Sequence, residues 1–101
     1  MSVILMSPPE VAVQIAQRAR LRRLSINLSQ RGLSERSGVS YSVIKKFEQT
    51  AKISLESLLK LAIILGCLQD FMDLFKPIPL EEMRTLDEVL KDNTRKRGRQ
   101  S

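Results

Sequence analysis

The sequence has no histidine, no tryptophan and only one cysteine, and these absences exclude most enzymatic chemistry. Without histidine there is no ordinary general base that titrates near neutral pH. Without a cysteine cluster there is no zinc site, and no Gly-Lys-Ser/Thr loop is present to hold a phosphate. The acidic residues are spread over positions that we interpret as surface. We therefore expect no catalytic activity, no metal site and no cofactor.

A single cysteine cannot form an intramolecular disulfide, and a reducing cytosol fits this usage. Cys67 lies between Gly66 and Leu68, and we interpret it as a small core residue rather than a redox group. Residues 1–6 lack the basic start of a signal peptide, and the apolar stretch 58–68 is interrupted by a lysine and a glycine. We expect a cytoplasmic protein without membrane contact.

Aromatic residues are also scarce, with three Phe and one Tyr among 101 residues. The 43% of hydrophobic residues must therefore build a core mainly from Leu, Ile, Val and Ala, a composition that suits helices packed on helices. The length fits one small domain and leaves little room for a separate ligand-binding domain. The composition predicts an all-α fold.

The net charge of +6 is unevenly distributed along the chain. Residues 1–60 hold ten basic side chains against four acidic ones, residues 61–90 hold two against six, and residues 91–101 hold five against one. The two basic blocks indicate a polyanionic partner, and the acidic block indicates a protein contact. Charge alone does not distinguish DNA from a membrane surface or an acidic protein.

The clearest motif lies in residues 28–48, LSQRGLSERSGVSYSVIKKFE. Ser29 can cap a short helix over residues 30–37, Gly38 provides a tight turn, and Ser40 can cap a second helix from residue 41 to about residue 49. This order of cap, helix, turn, cap and helix predicts a helix-turn-helix.

The second helix of this motif has two different sides at 100° per residue. Val39, Ile44 and Phe47 fall on the inward side, which predicts that they belong to the core. The outward side is polar, basic and free of acids, and comprises Ser42, Lys45, Lys46 and Gln49, with Tyr41 at its edge.

Three further helices are predicted around the motif. Ser7-Pro8-Pro9-Glu10 has the signature of a capping box, so a first helix is predicted over residues 8–24. A fourth helix follows Ser54 and is apolar on so many sides that we expect it to be the buried centre of the domain. A fifth is predicted over residues 68–75.

Pro77-Ile78-Pro79 breaks the helical pattern, which divides the chain into a domain at residues 8–76 and an extension at residues 77–101. Apolar residues recur at helical spacing among acids from Leu80 to Leu90, which predicts a short amphipathic helix. Residues 95–99 form a cluster of four cations.

The motif resembles the lambda-repressor-like Xre/Cro transcriptional regulators over residues 19–75. The resemblance rests on Ser29-Gln30, Gly38-Val39-Ser40, Ile44, Glu48 and the leucine-rich segment that ends at Leu65-Gly66. It implies a five-helix domain whose second motif helix enters the major groove of DNA. It also implies that Glu48 pairs with Arg23 and ties that helix to the scaffold.

Eight residues are candidates for contact with double-stranded DNA: Ser29, Gln30, Ser40, Tyr41, Ser42, Lys45, Lys46 and Lys52. Tyr41, Ser42 and Lys45 are predicted to read bases. The resemblance implies that Gln30 contacts a phosphate and sometimes a base, while Lys46 and Lys52 are interpreted as phosphate contacts. For each lysine alone, an ordinary solvated surface charge is the alternative.

The sequence departs from the family pattern at two places. Gly32 stands inside the first motif helix, where a glycine costs about 1 kcal/mol. Thr50 and Ala51 replace the glycine that commonly follows Glu48, so the exit from the second helix and the position of Lys52 are open.

These features support a sequence-specific, autoregulatory repressor that acts as a homodimer through the fifth helix and the apolar residues after Pro77. A second hypothesis is an antitoxin, because the extension, with TLDEVL followed by RKRGR, is similar to HipB-type antitoxins that accompany HipA-type kinases. A third is an interaction module that has kept the fold and no longer binds DNA. The basic cluster at residues 95–99 is predicted to add a DNA contact through phosphates or a minor groove.

Overall fold

The computed structural model describes residues 6–80 together with Glu88 and Leu90. The amphipathic helix predicted after Pro79 is therefore described only at Leu80, Glu88 and Leu90. The basic cluster at residues 95–99 lies outside the described residues.

The described part of the chain contains helices, turns and loops but no strand. Its five helices are α1 (Pro8–Ser25), α2 (Gln30–Ser37), α3 (Tyr41–Thr50), α4 (Leu55–Leu65) and α5 (Leu68–Met72). The predicted five-helix, lambda-repressor-like fold is confirmed. α1, α2 and α3 match their predicted bounds to within about one residue, and α4 begins directly after Ser54 as predicted.

Serine caps begin four of the helices. The hydroxyl oxygens of Ser7, Ser29, Ser40 and Ser54 each accept a hydrogen bond from the backbone N–H three residues later. At α1 the Glu10 carboxylate completes the predicted capping box, because its Oε1 accepts from the Ser7 N–H at 2.8 Å. Each cap satisfies a backbone donor that the helix itself leaves without a partner.

The core lies where α1, α2, α3 and α4 meet. α1 packs on α3 and α4, and α2 packs on α3 and α4. The buried apolar side chains that form one cluster are Ala16, Leu33, Val39, Ile44, Phe47, Leu61 and Leu65. Ile44 is completely buried, so the predicted inward side of α3 is confirmed. Half-buried Cys67 packs against the same cluster, as predicted.

The prediction for α4 is wrong in one respect. Leu61, Ala62 and Leu65 are buried, but Leu55 and Ile63 are 64% and 58% exposed. α4 is therefore buried along one side and exposed along the other. An apolar composition alone does not show how many sides of a helix are covered.

α5 is shorter than predicted, since it ends at Met72 and not at residue 75. Residues 73–75 form turns instead, in which the Leu74 N–H donates to the carbonyl of Phe71, three residues earlier. Phe75 then takes a left-handed φ of 61°, which no α-helix tolerates. The Phe75 side chain is completely exposed.

The structure accounts for both departures from the family pattern. A Cβ added at Gly32 would lie 3.3 Å from Leu28 Cδ2 and 3.3 Å from Ser29 Oγ, so the glycine fits a tight approach beside the α2 cap. Ala51 takes the left-handed φ of 64° that glycine usually adopts after a helix, at a cost of about 1 kcal/mol. Its N–H donates to the Phe47 carbonyl, so the chain leaves α3 through the common left-handed turn.

No helix in the part of the chain that the structure describes is both long and apolar enough to cross a membrane.

Candidate nucleic-acid interface

The two sides of α3 have opposite characters, and this is the basis of the site. Ile44 and Phe47 are buried in the core. Ser42, Lys45 and Lys46 are exposed on the other side. The candidate interface therefore presents hydroxyl and ammonium groups to solvent from a helix whose inner side is immobilised by packing.

A buried ion pair fixes the end of α3 to α1. Arg23 Nε lies 2.8 Å from Glu48 Oε2, and Arg23 Nη2 lies 3.0 Å from Glu48 Oε1, so the pair is bidentate. The two side chains are only 7% and 6% exposed. Arg23 Nη1 also donates to the Leu28 carbonyl at 2.8 Å, just before α2. The pairing that the family resemblance implied is present, and it sets the orientation of α3.

Gln30 joins this network. Its Nε2 donates to Glu48 Oε1 at 2.9 Å, which ties the first turn of α2 to the end of α3. Burial by itself raises the pKa of the Glu48 carboxyl group, but the hydrogen bonds from Arg23 and Gln30 and the charge of Arg23 outweigh burial and hold that pKa below its usual value. Glu48 thus stays an anion that orients both the amide of Gln30 and the guanidinium of Arg23. The Gln30 amide has a second N–H, which suits the predicted phosphate contact.

Tyr41 lies at the first turn of α3 with two cations against its ring. The Arg31 guanidinium carbon is 4.3 Å from the ring centroid, and Lys45 Nζ is 6.0 Å from it. Both distances fall within the range of cation–π attraction. Sequence reasoning selects Tyr41 and Lys45 but misses Arg31, because nothing in the local pattern distinguishes this arginine from a solvated charge on α2.

The three candidate serines lie at helix starts. Ser29 Oγ accepts from the Gly32 N–H at 2.9 Å, and Ser40 Oγ accepts from the Val43 N–H at 3.3 Å. Ser40 Oγ is also 3.3 Å from Ser42 Oγ. A capping hydroxyl uses its oxygen as an acceptor and keeps its own O–H for donation, so the caps can donate to a phosphate without giving up their structural role.

Lys46 and Lys52 are both exposed, one within α3 and one two residues after its end. Thr50 Oγ1 organises the segment between them, because it donates to the Lys46 carbonyl and accepts from the Lys52 N–H. This fixes the backbone at Lys52, whose position the sequence left open.

Two of the four arginines near the end of α1, which are Arg18, Arg20, Arg22 and Arg23, have structural roles. Arg22 Nη1 donates to the Leu65 carbonyl at 3.1 Å and to the Gly66 carbonyl at 3.4 Å, which satisfies acceptors at the end of α4. Arg23 holds Glu48. Of the four arginines, only Arg18 and Arg20 are exposed without a described hydrogen bond.

The fold and this surface define a class of protein, the DNA-binding helix-turn-helix domains. Residues 20–68 match a family model described as "Helix-turn-helix", a range that includes α2, α3 and α4. Residues 20–68 thus form an Xre/lambda-repressor-like helix-turn-helix domain. No curated protein matches the sequence.

Proposed function

We propose that this protein is a sequence-specific transcriptional repressor that binds DNA as a homodimer, regulates its own gene and acts by binding alone, without catalysis. The observation that carries the proposal is the two-sided α3: its inner side is locked by Ile44 and Phe47, and its outer side is polar, basic and free of acids. Such a helix can enter the negatively charged major groove without a change of fold.

The geometry suggests a division of roles within the interface. Tyr41, Ser42 and Lys45 lie at the start and middle of α3, the part of a recognition helix that contacts base edges. Gln30, the capping hydroxyls, Lys46 and Lys52 suit phosphate contacts, which position the protein on the duplex and carry no sequence information.

A dimer is proposed because one domain of this size covers too little DNA for high specificity. Two copies would read half-sites about one helical turn, roughly 34 Å, apart. Met72, Leu74 and Phe75 offer exposed apolar surface at and beyond α5. This is the surface on which we place the contact between copies.

The test is a fluorescence-anisotropy titration of the full chain against the DNA upstream of its own reading frame, with a scrambled duplex as control, over a salt series. Preferential binding that persists near physiological salt supports the proposal. Equal, weak and strongly salt-sensitive binding to both duplexes would reject sequence-specific repression.

Two charge reversals separate the α3 interface from general electrostatic attraction. Lys45→Glu places a carboxylate against the groove and should abolish preferential binding. Lys60→Glu makes the same change of charge on an exposed side chain of α4, outside the candidate interface, and should retain it. Equal effects of the two substitutions would reject the assignment of α3 as the reading helix.

A second candidate function is that of an antitoxin that neutralises a HipA-type kinase and also represses its operon. Exposed apolar residues at the end of the domain, followed in the sequence by the acidic segment 80–90, favour a protein contact. The test is inhibition of a kinase encoded beside this gene by the full chain and by its Lys45→Glu variant. Inhibition by both proteins supports a neutralising role separate from DNA binding, and failure of the unaltered chain to inhibit rejects it.

A further inference from the structure

Arg31 is an exposed cation on the first turn of α2. Within the described part of the chain, its side chain contacts the ring of Tyr41. Its guanidinium carbon lies 4.3 Å from the centroid of the Tyr41 ring. Among the residues that the structure describes, no carboxylate or carbonyl accepts a hydrogen bond from it. The donors of the guanidinium are therefore available to a partner outside the described domain.

The Tyr41 ring restricts where this charge can go. A guanidinium over an aromatic ring is held by cation–π attraction, and the N–H groups at the edge of its planar fork stay free to donate to a partner beside the ring. A long arginine side chain is otherwise free to sample many rotamers. The contact with Tyr41 restricts Arg31 before binding, so less conformational entropy is lost when a partner binds. Tyr41 thus pre-orients a bidentate donor.

The position of the ring brings this donor to the place where bases are read. Tyr41 is the first residue of α3, and residues at the N-terminal end of a recognition helix contact base edges. Although Arg31 belongs to α2, its guanidinium contacts the ring of Tyr41 and therefore lies beside the first turn of α3. Lys45 brings an ammonium group to 6.0 Å from the same ring, so two cations from different helices converge there.

We propose that Arg31 is a specificity residue that donates two hydrogen bonds to O6 and N7 of a guanine in the major groove, with Tyr41 as its positioning partner. This inference rests on the proposed sequence-specific DNA binding. Guanine is the assigned base because it alone presents two adjacent acceptors in the major groove, which match the fork of an arginine. The expected contribution to base preference is roughly tenfold.

The experiment first selects preferred duplexes from a randomised pool with the full chain, and then measures affinity for each single-base variant of the selected half-site. Arg31→Ala should lose roughly tenfold preference for guanine at one position of each half-site and keep the preferences at the other positions. Arg36→Ala removes the same charge from the last turn of α2 and should keep every base preference. Both arginines are exposed, so both variants should fold, which circular dichroism checks.

Three further substitutions distinguish a guanine contact from a phosphate contact. Arg31→Lys keeps the charge without the rigid fork, so it should weaken the guanine preference and keep the salt slope of binding. Tyr41→Phe keeps the ring and should retain the preference, whereas Tyr41→Leu removes the ring and should reduce it.

The inference is overturned if Arg31→Ala weakens binding to all duplexes equally and flattens the salt slope, which identifies a phosphate contact. It is also overturned if the guanine preference survives Arg31→Ala. If the unaltered chain selects no sequence from the pool, the proposed repressor function fails together with this inference. That result is seen before any variant is measured, so the two failures are distinguishable.

Discussion

At the scale of single residues, Glu48 connects three helices through one carboxylate. It accepts hydrogen bonds from Arg23 of α1 and Gln30 of α2, and it belongs to α3 itself. A buried pair of this kind orients its partners more than it stabilises the fold, because desolvation offsets much of the attraction. The orientation of α3 therefore depends on the charge state of this group.

We predict that this carboxylate contributes to a pH dependence of stability. The pKa of Glu48 is lower in the folded protein than in the unfolded chain, because bonds to Arg23 and Gln30 outweigh burial. Its stabilising contribution is therefore present above the unfolded pKa and is lost as the pH falls through the folded pKa. Denaturant titrations from neutral to acidic pH should show a larger fall in the free energy of unfolding for the unaltered protein than for Glu48→Gln.

The comparison with Glu48→Gln isolates one group, because all other carboxylates titrate in both proteins. Glutamine keeps the size of the side chain and an acceptor oxygen for Arg23. Parallel stability curves for the two proteins would show that Glu48 has no part in the acid sensitivity.

Arg22 gives a second prediction at this scale. Arg22→Ala removes hydrogen bonds to the carbonyls of Leu65 and Gly66 at the end of α4, so the free energy of unfolding should fall by about 1 kcal/mol. Arg18→Ala removes an exposed arginine of the same helix and should change it by less than about 0.5 kcal/mol. Chemical denaturation measures both. Equal decreases would mean that the Arg22 hydrogen bonds contribute nothing specific.

The residues show where sequence reasoning succeeds and where it stops. The burial of Ile44 and Phe47 follows from periodicity, because both positions are fixed by the helix they belong to. The Arg22 contact joins residues more than forty positions apart, and the Arg31–Tyr41 contact joins two helices. Both contacts depend on how helices pack, which no local pattern encodes.

At the scale of the helices, the caps of α3 and α4 allow a structural role to be separated from DNA contact. Ser40→Ala and Ser54→Ala each remove an N-cap hydrogen bond, and each should lower the free energy of unfolding by about 1 kcal/mol. Only Ser40 lies at the start of α3, the proposed recognition helix, so only Ser40→Ala should weaken operator binding. Thermal unfolding and anisotropy titration measure the two effects. Equal reductions of DNA affinity would remove Ser40 from the interface.

Helix starts are predictable here because serine caps and a proline are local signals, and four caps act as the sequence indicates. The end of α5 is harder to predict, because no glycine marks it in the sequence. The helix stops before Phe75, which adopts a left-handed φ. The exposure of Leu55 and Ile63 on α4 is equally hard to predict, because apolar composition does not reveal the number of neighbours.

At the scale of the whole molecule, the proposed dimer predicts that the surface beyond α5 is needed for assembly and not for folding. Leu74→Ser combined with Phe75→Ser should weaken dimerisation measured by analytical ultracentrifugation, while the free energy of unfolding of the monomer stays nearly unchanged, because both side chains are exposed. The double change Leu55→Ser with Ile63→Ser alters exposed apolar residues of α4 and serves as the control. A failure to dimerise only in the control would place the interface on α4.

The uneven charge of the chain leads to a further prediction. Removal of residues 92–101 deletes the basic cluster, so affinity should fall by a similar factor for all DNA sequences. The salt dependence should become flatter, by about 0.9 in logarithmic slope for each phosphate that the shortened chain no longer neutralises. Binding assays over a salt series with specific and scrambled duplexes measure this. An unchanged salt slope would show that the cluster does not reach the phosphates.

The separation of buried and exposed side chains on α3 also affects how the DNA preference of such a protein can change. The side chains that hold the helix in place, such as Ile44 and Phe47, are not those exposed on its outer side, such as Ser42 and Lys45. Substitutions on the outer side can therefore alter the preferred operator at little cost to folding. The same scaffold could in this way serve many different promoters, and an engineer could retarget it by exchanging a few surface residues.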